Sequence, residues 1–256
     1  MSQPTLDGMP EPLYPATPAR LGTYLDCPRR YRMAYLDRPT PPKGPPWGHN
    51  SVGAAVHNAL ARWWDLPRDR RTPQAGGALL VSGWLTDGFR DGRQVVAARE
   101  RARAQVERYL ADVDPDDVPL GIERTVSVTT SSASLWGRVD RLDDRGEGVV
   151  VVDYKTGRSV LTVDHARSSL ALAVYAAGAA RTLRRPCTRV ELHHLPTGDV
   201  LVWDHTEESL GEHLRRADER FPARVGERCG WCDFRVSCAP GQAVPARQPW
   251  AGVVED

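Results

Sequence analysis

Hydrophobic positions recur along this chain with two different periods, and these periods predict its secondary-structure elements. Recurrence every three to four residues is typical of helices, whereas alternation and short β-branched runs are typical of strands. Helical patterns cover residues 21–36, 51–66, 78–89, 95–110, 164–183 and 207–220, and strand patterns cover residues 121–130, 188–195 and 200–204. Together they predict an α/β domain with a central mixed sheet flanked by helices.

Residues 136–157 predict a β-hairpin, because two β-branched runs flank a polar turn at residues 143–148. Asp140 falls near the end of the first strand, and Asp153 and Lys155 end the second. Asp153 and Lys155 are two residues apart, so they point to the same face of the sheet. Clustered carboxylates suit Mg²⁺ or Mn²⁺, and a nearby amine suits the orientation of a water. The alternative is a set of solvated turn residues.

The choice of basic residues indicates chemistry at Lys155. Of the 34 basic residues, Lys43 and Lys155 are lysines and the other 32 are arginines. A lysine has a compact amine whose pKa shifts readily, which a guanidinium lacks. A lysine beside two carboxylates in such an arginine-rich chain favours a chemical role over a solvated surface charge.

Length, composition and charge bound the class of protein. The 256 residues, 41% of them hydrophobic, suffice for one large domain or two small ones. No apolar run approaches the length of a membrane span and no charged-then-apolar leader is present, so we expect a cytoplasmic protein that does not bind membranes. The net charge of +1 gives no overall attraction to nucleic acid, so any basic surface must be local. No Walker A motif is present.

Proline-, glycine- and polar-rich termini frame the predicted domain. We expect residues 1–17 to form a flexible tail, residues 18–240 a single domain, and residues 241–256 a second tail. Arginine-rich helical stretches in this domain suit either phosphate binding or a solvated face. They comprise Arg29, Arg30 and Arg32 beside Tyr31 and Tyr35, and Arg99, Arg101, Arg103 and Arg108.

Two hairpin motifs resemble a known family. The sequence G-x-x-D-R-L-D at Gly137–Asp143, followed by a hydrophobic strand and D-Y-K-T-G ending at Gly157, is similar to the metal-site motif of the PD-(D/E)XK nuclease superfamily, in its RecB-type exonuclease branch. The resemblance implies a restriction-endonuclease-like core. It also implies metal binding by Asp140, Asp153 and the Tyr154 carbonyl, with Lys155 as the catalytic lysine.

Two further residues receive roles from the same resemblance. His57 lies on an apolar helix, where a histidine is more often a packed core residue, but the text G-x-x-V-H at Gly53–His57 resembles the family segment whose histidine completes the metal shell. Tyr175 occupies the tyrosine position of the family's Q-x-x-x-Y, where it contacts phosphate or packs in the core. The family glutamine is replaced by Ala171. Glu123 falls near the start of strand 121–130, without an assigned role.

The cysteines predict a second inorganic site. Cys229, Cys232 and Cys238 have the spacing C-x2-C-x5-C, which suits an iron–sulfur cluster or a structural zinc, with disulfides disfavoured in a cytosolic protein. The resemblance adds Cys27, in C-P-R-R-Y-R, as the fourth ligand and implies a 4Fe–4S cluster that joins the N- and C-terminal parts of the chain, as in AddB-like relatives. Cys187 is left over.

The resemblance therefore implies a DNA nuclease that needs Mg²⁺ or Mn²⁺ and hydrolyses phosphodiester bonds. An exonuclease acting in DNA repair or recombination is expected, with DNA as substrate and a helicase or repair partner in trans. A DNA-binding or scaffold module that keeps the fold and the cluster but cuts poorly is the alternative, and a hydrolase of RNA or another phosphodiester is a further one. Ala171 favours the scaffold, while the set of His57, Asp140, Asp153 and Lys155 favours the nuclease.

Overall fold

The structure is a computed structural model, and it describes residues 13–130, 133–215, 225–248 and 250. Short 3₁₀ turns lie at Arg68–Arg70, Glu227–Trp231 and Arg235–Ser237, and a π-helical turn at Arg32–Leu36. The helices and strands are β1 (Tyr14–Ala16), α1 (Pro18–Asp26), α2 (Pro28–Tyr31), α3 (Gly48–Trp64), α4 (Pro73–Ser82), α5 (Gly92–Ala111), β2 (Gly121–Thr129), β3 (Ala133–Asp144), β4 (Val149–Lys155), α6 (Val163–Arg167), α7 (Leu170–Leu183), β5 (Arg189–His194), β6 (Asp199–Asp204), α8 (Glu207–Arg215) and α9 (Ala239–Gln242).

The described strands form one six-stranded mixed sheet, with the order β1-β3-β4-β5-β6 and β2 also paired to β3. The pairs β1 with β3 and β4 with β5 are parallel, and the pairs β2 with β3, β3 with β4 and β5 with β6 are antiparallel. This confirms the predicted α/β architecture with a central mixed sheet. The predicted hairpin is β3 and β4, which are joined by a short turn at residues 145–148.

Helices cover both faces of the sheet, so β4 is buried on each side. On one face, α3, α4 and α5 pack their apolar residues, including Leu60, Trp63 and Val106, against Val150 and Val152. On the other face, α7 packs Leu172, Ala176 and Ala179 against Leu142, Val151 and Val190. A strand buried on both faces reads as a continuous apolar run, which explains the four valines of β4.

Side-chain caps set several helix boundaries that hydrophobic periodicity places differently. Thr72 caps α4 by accepting a hydrogen bond from the Ala75 N–H, and Pro73 occupies the first turn, so this helix begins before residue 78. The predicted helix at 164–183 is two helices, because Ser169 caps α7 by accepting from the Leu172 N–H at 3.3 Å. Serine competes for backbone hydrogen bonds and therefore favours a new helix start.

Parts of both predicted tails take part in the described structure. Residues 14–16, within the segment expected to be a tail, form β1 and pair with β3 through Ala16 and Leu135. In the other expected tail, the Arg247 N–H donates to the Gly230 carbonyl at 3.0 Å. Residues 1–12, 249 and 251–256 lie outside the described residues. None of the helices in the described part of the chain is both long enough and apolar enough to span a bilayer.

Candidate functional site

The candidate site lies at a gap along one edge of β3. On that edge, β1 pairs with β3 as far as Leu135 and β4 pairs with it from Arg141 onward. Among the strands that the structure describes, none pairs with residues 136–140 there, while β2 continues along the opposite edge. Asp140 is the last residue of this gap, so its side chain stands where two strands separate.

At this gap, the side chain of Asp140 makes the polar contacts that a neighbouring strand would otherwise make. Its Oδ2 accepts from the Tyr154 N–H at 2.8 Å, immediately beyond the end of the β3–β4 ladder. Its Oδ1 lies 3.2 Å from His57 Nδ1. The other ring nitrogen of His57, Nε2, lies 3.1 Å from the Tyr154 carbonyl oxygen. Asp140, His57 and both backbone groups of Tyr154 therefore converge, and metal binding by Asp140, His57 and the Tyr154 carbonyl stays a prediction.

His57 reaches the site from α3, whose apolar stripe of Val56, Ala59 and Leu60 packs in the core. Burial lowers the pKa of its imidazole, but the hydrogen bond to Asp140 and the charges of Asp140 and Asp153 outweigh burial, so the pKa is raised overall. Carboxylates thus draw positive charge to this position.

Glu123 is the site residue that sequence reasoning left without a role. The β2–β3 register, with Ile122 opposite Arg141 and Arg124 opposite Val139, puts Glu123 across from Asp140. Ligand atoms of His57, Glu123 and Asp140 lie within 4.8 Å of one another. Glu123 has a φ of 49°, which is strained for a residue with a side chain, and such backbone strain clusters at active sites. The only signal in the sequence is an acid near the start of a strand.

Asp153 and Lys155 form a second pair beside this group. The Lys155 ammonium contacts the Asp153 carboxylate, which is 13% exposed, while Lys155 itself is 45% exposed. Burial raises the pKa of Asp153, the Lys155 charge opposes this rise, and the Asp140 charge adds to it. The two residues share a face of β4, as their spacing predicted. In this arrangement Asp153 faces Lys155, and its role as a metal ligand stays a prediction.

Tyr175 approaches the hairpin from α7 because Gly137 leaves room for its ring. A Cβ on Gly137 would lie 2.5 Å from a ring carbon of Tyr175 and 3.2 Å from Pro18. Burial and the charges of Asp153, Asp140 and Glu123 raise the pKa of Tyr175 to about 12. Its phenol is therefore a neutral donor near the carboxylates. Ala171 lies one helical turn before it and offers no polar group.

Negative charges are clustered at the site, and this clustering favours the binding of a cation. The pKa of Glu123 is raised by burial and by Asp140, although Arg138 Nε lies 2.7 Å from Glu123 Oε2 and opposes the rise. Asp153 and Tyr175 show the same tendency. A divalent ion would offset this clustering of carboxylates, whose oxygens are the ligands that suit Mg²⁺ and Mn²⁺.

A buried polar network holds Tyr154 from its side-chain end. Arg141 is 7% exposed and pairs with Asp143 at 2.8 Å, and its other terminal nitrogen donates to Tyr109 Oη at 3.1 Å and to Tyr154 Oη at 3.3 Å. Tyr109 Oη also lies 2.9 Å from His193 Nδ1. The residue that presents its backbone to the site is thus fixed at both ends. Arg141 and Asp143 belong to the motif at Gly137–Asp143, but periodicity alone gave them no role.

The four predicted cluster cysteines line one cavity of about 360 Å³. Cys27 comes from the start of α2, and Cys229, Cys232 and Cys238 from the turns after residue 225. All are half-buried and none forms a disulfide, and burial raises the pKa of Cys232. Cys187 lies elsewhere, buried in the core against α7.

Two of the three arginines beside Cys27, Arg30 and Arg32, are engaged within the protein. Arg30 contacts Asp233 at 3.2 Å, and Asp233 also accepts from Trp47 Nε1 at 3.0 Å. Arg32 pairs with Asp37 at 2.9 Å. This stretch thus joins the cysteine-rich turns to the start of α3, in agreement with a packing role for these arginines.

The family model described as the PD-(D/E)XK nuclease superfamily matches residues 15–239. Among solved structures, one described as "Crystal structure of SSO0001" covers 90% of this chain and 88% of its own, with 13% identity and a TM-score of 0.41, a likeness too low to argue from. No curated protein matches. Since the family model spans most of the chain and the hairpin motifs stand at the observed site, this protein belongs to the PD-(D/E)XK nuclease superfamily.

Proposed function

We propose that this protein is a divalent-metal-dependent DNA nuclease that cuts from strand ends and acts in DNA repair or recombination, with a helicase or repair protein as partner in trans. The observation that carries the proposal is the convergence of His57, Glu123 and Asp140 within 4.8 Å, beside the Asp153–Lys155 pair. A purely structural module gains nothing from carboxylates whose charges repel one another.

The residues at the β3 gap would hold one or two ions of Mg²⁺ or Mn²⁺. His57, Asp140, Asp153 and the Tyr154 carbonyl are the proposed ligands, and the position of Glu123 adds it to them. When bound, the metal supplies Lewis-acid polarisation of the phosphodiester and lowers the pKa of the attacking water.

The chain's own residues orient and stabilise the reacting groups. The Lys155 ammonium, which contacts Asp153, would orient the water and offset the negative charge that develops on the phosphate. The Tyr175 phenol stays protonated up to about pH 12, so it can donate a hydrogen bond to a phosphate oxygen. The network around Arg141 keeps the Tyr154 backbone in register with Asp140.

We also propose a 4Fe–4S cluster at Cys27, Cys229, Cys232 and Cys238. The support is that these four thiols line one cavity and that none of them forms a disulfide. The cluster would close a loop of some 200 residues, so its loss is expected to loosen the fold.

A catalytically weak DNA-binding or scaffold module is the second candidate, favoured by Ala171. This residue puts a methyl group one turn before Tyr175, where the family motif has an amide. The loss of one polar contact weakens substrate grip and leaves the carboxylates and Lys155 in place.

Cleavage of end-labelled single- and double-stranded DNA tests the proposal. The protein is purified anaerobically and assayed with Mg²⁺ or Mn²⁺, beside the Lys155→Ala and Asp153→Ala variants. Lys43→Ala is the matched control, because Lys43 is the other lysine and lies over the Phe234 ring, which borders the cysteine cavity and does not belong to the hairpin. We expect cutting by the unsubstituted protein and by Lys43→Ala alone.

The products separate the alternatives. Mononucleotides released from one end, with no cutting of a closed circle, support an exonuclease, and labelled RNA in competition tests the choice of substrate. Binding of DNA without cutting by any of the proteins supports the scaffold. Cutting that is unchanged in Asp153→Ala contradicts the proposed site.

A further inference from the structure

A cavity of about 400 Å³ extends from the candidate site toward α5. Its lining includes His57, Tyr154 and Lys155, which belong to the site. It also includes Arg101 and Gln105 of α5. The cavity thus adjoins the place where a phosphate would react, and one part of its wall comes from a helix to which the proposed chemistry gives no role.

One face of α5 forms that wall. Ala98, Arg101, Ala102 and Gln105 have the spacing i, i+3, i+4 and i+7, which places them on one side of a helix, and all four line the cavity. Ala98 and Ala102 are buried and small, so the wall is low between them. A guanidinium and an amide therefore border a recess beside Lys155.

Arg101 differs from the neighbouring arginines of α5 in having no partner among the residues that the structure describes. Arg103 lies 3.0 Å from Glu100 and 2.8 Å from Glu107, and Arg99 lies 3.5 Å from Glu100. Arg108 donates to the Leu195 carbonyl at 2.9 Å. Within the ranges that the structure describes, Arg101 makes no ion pair and no hydrogen bond, and it is exposed.

We propose that Arg101 and Gln105 bind the nucleic-acid backbone at a phosphate next to the one that is cut. This inference rests on the proposed function, since it extends the path of the substrate beyond Lys155. An arginine without a protein partner can bind a phosphate without first giving up an ion pair, whereas Arg103 would lose two. Gln105, one turn further along α5, offers an amide donor to the same backbone.

DNA binding measured apart from cutting tests this assignment. In the Asp153→Ala background, the affinity for fluorescent single- and double-stranded oligonucleotides is followed by anisotropy over a range of salt concentrations. Arg101→Gln should weaken binding by about tenfold, equally for different sequences, and lower the slope of log affinity against log salt by about one. Arg103→Gln is the matched control and should keep the slope. Since Arg101 has no partner in the described part of the chain, the melting temperature of Arg101→Gln should be unchanged.

Three results would overturn the assignment. An unchanged affinity and slope in Arg101→Gln, in a protein that binds and cuts DNA, removes this contact and leaves the proposed function standing. Equal losses in Arg101→Gln and Arg103→Gln point to the general charge of α5 and not to the cavity. An absence of both DNA binding and cutting in the unsubstituted protein removes the proposed function, and this assignment with it.

Discussion

The Tyr154 N–H donates to the Asp140 carboxylate at 2.8 Å, just beyond the last paired residues of the two strands, Arg141 of β3 and Val152 of β4. A side chain thus takes the place of a strand carbonyl at the end of the ladder. Asp140 has two separable tasks, because one oxygen satisfies the backbone of Tyr154 and the other lies 3.2 Å from His57.

Two substitutions of Asp140 should separate these tasks. Asp140→Asn keeps an oxygen that accepts from Tyr154 but loses the charge, so cutting should fall by roughly 10³-fold or more, since a metal supplies several kcal/mol to catalysis. Asp140→Ala should cut as poorly and also lose about 1–3 kcal/mol of unfolding free energy, because a half-buried N–H is left unpaired. Cleavage rates and urea unfolding measure the two effects. Equal stability of the two variants would contradict the structural task.

Substitution of Glu123 should trade stability against metal affinity. Its φ of 49° suits glycine, so Glu123→Gly should raise the melting temperature while weakening Mn²⁺ binding. Glu123→Gln keeps the strained backbone and should weaken Mn²⁺ binding without the gain in stability. Calorimetric titration with Mn²⁺ and thermal unfolding without metal give both quantities. A lower melting temperature for Glu123→Gly would contradict the strain.

The five cysteines should divide into four and one on alkylation. Burial raises the pKa of Cys187 to about 12, so iodoacetamide at pH 8 should leave it unmodified in the folded protein. The other four cysteines should react only after a chelator removes the iron; they are Cys27, Cys229, Cys232 and Cys238. Anaerobic protein should show broad absorption at about 400 nm, because iron–sulfur clusters have charge-transfer bands there. Mass spectrometry of the peptides reports each site. Colourless protein carrying stoichiometric zinc would reject the cluster.

Two Arg–Asp pairs near the end of β3 should contribute very differently to stability. Arg141→Met removes the buried partner of the Asp143 carboxylate, so it should cost about 3 kcal/mol of unfolding free energy. It also removes the hydrogen bond to the Tyr154 hydroxyl, so metal binding should weaken. Arg185→Met breaks the pair between Arg185 and Asp144, which is 2.8 Å long but exposed, and should change stability little. Urea unfolding of both variants makes the comparison. A matched loss in the two would contradict the buried network.

Ionisation of Tyr175 should lower the stability of the folded protein at alkaline pH. Its pKa is raised from the ordinary 10.0 to about 12, so the folded state holds the phenolic proton more tightly than the unfolded state. The resulting stabilisation is complete below pH 10 and is lost as the pH rises toward 12. Between pH 9.5 and about 11.5, the melting temperature of Tyr175→Phe should therefore fall less than that of the unsubstituted protein. Parallel curves for the two proteins would contradict the raised pKa.

Local patterns predicted the hairpin well because its turn and its β-branched runs lie within about twenty residues of sequence, a range in which turn and strand signals act directly. Glu123 was beyond such reasoning, since its place opposite Asp140 depends on the register between β2 and β3. The strand β1 was missed for a related reason. Three residues give no detectable alternation, and their pairing partner lies more than a hundred residues away.

The packing of other elements against the hairpin could not be predicted from the sequence either. Gly137 reads as part of a motif, but its physical task is to admit the Tyr175 ring at a distance that a Cβ would forbid. The break between α6 and α7 depended on a serine cap inside an apolar, alanine-rich pattern that favours one continuous helix. Periodicity finds the buried face of an element and gives little information on where its neighbours approach.

The gap in β3 has a consequence for the chain lengths that this protein tolerates. Side chains alternate along a strand, so removal of one residue between Asp140 and the turn, such as Leu142, would rotate Asp140 away from His57. An extra residue in the turn at 145–148 would leave the pairing of Asp144 with Val149 unchanged. Insertions and deletions that accumulate between related chains should therefore collect in the turn and be absent from residues 141–144, which separate it from Asp140.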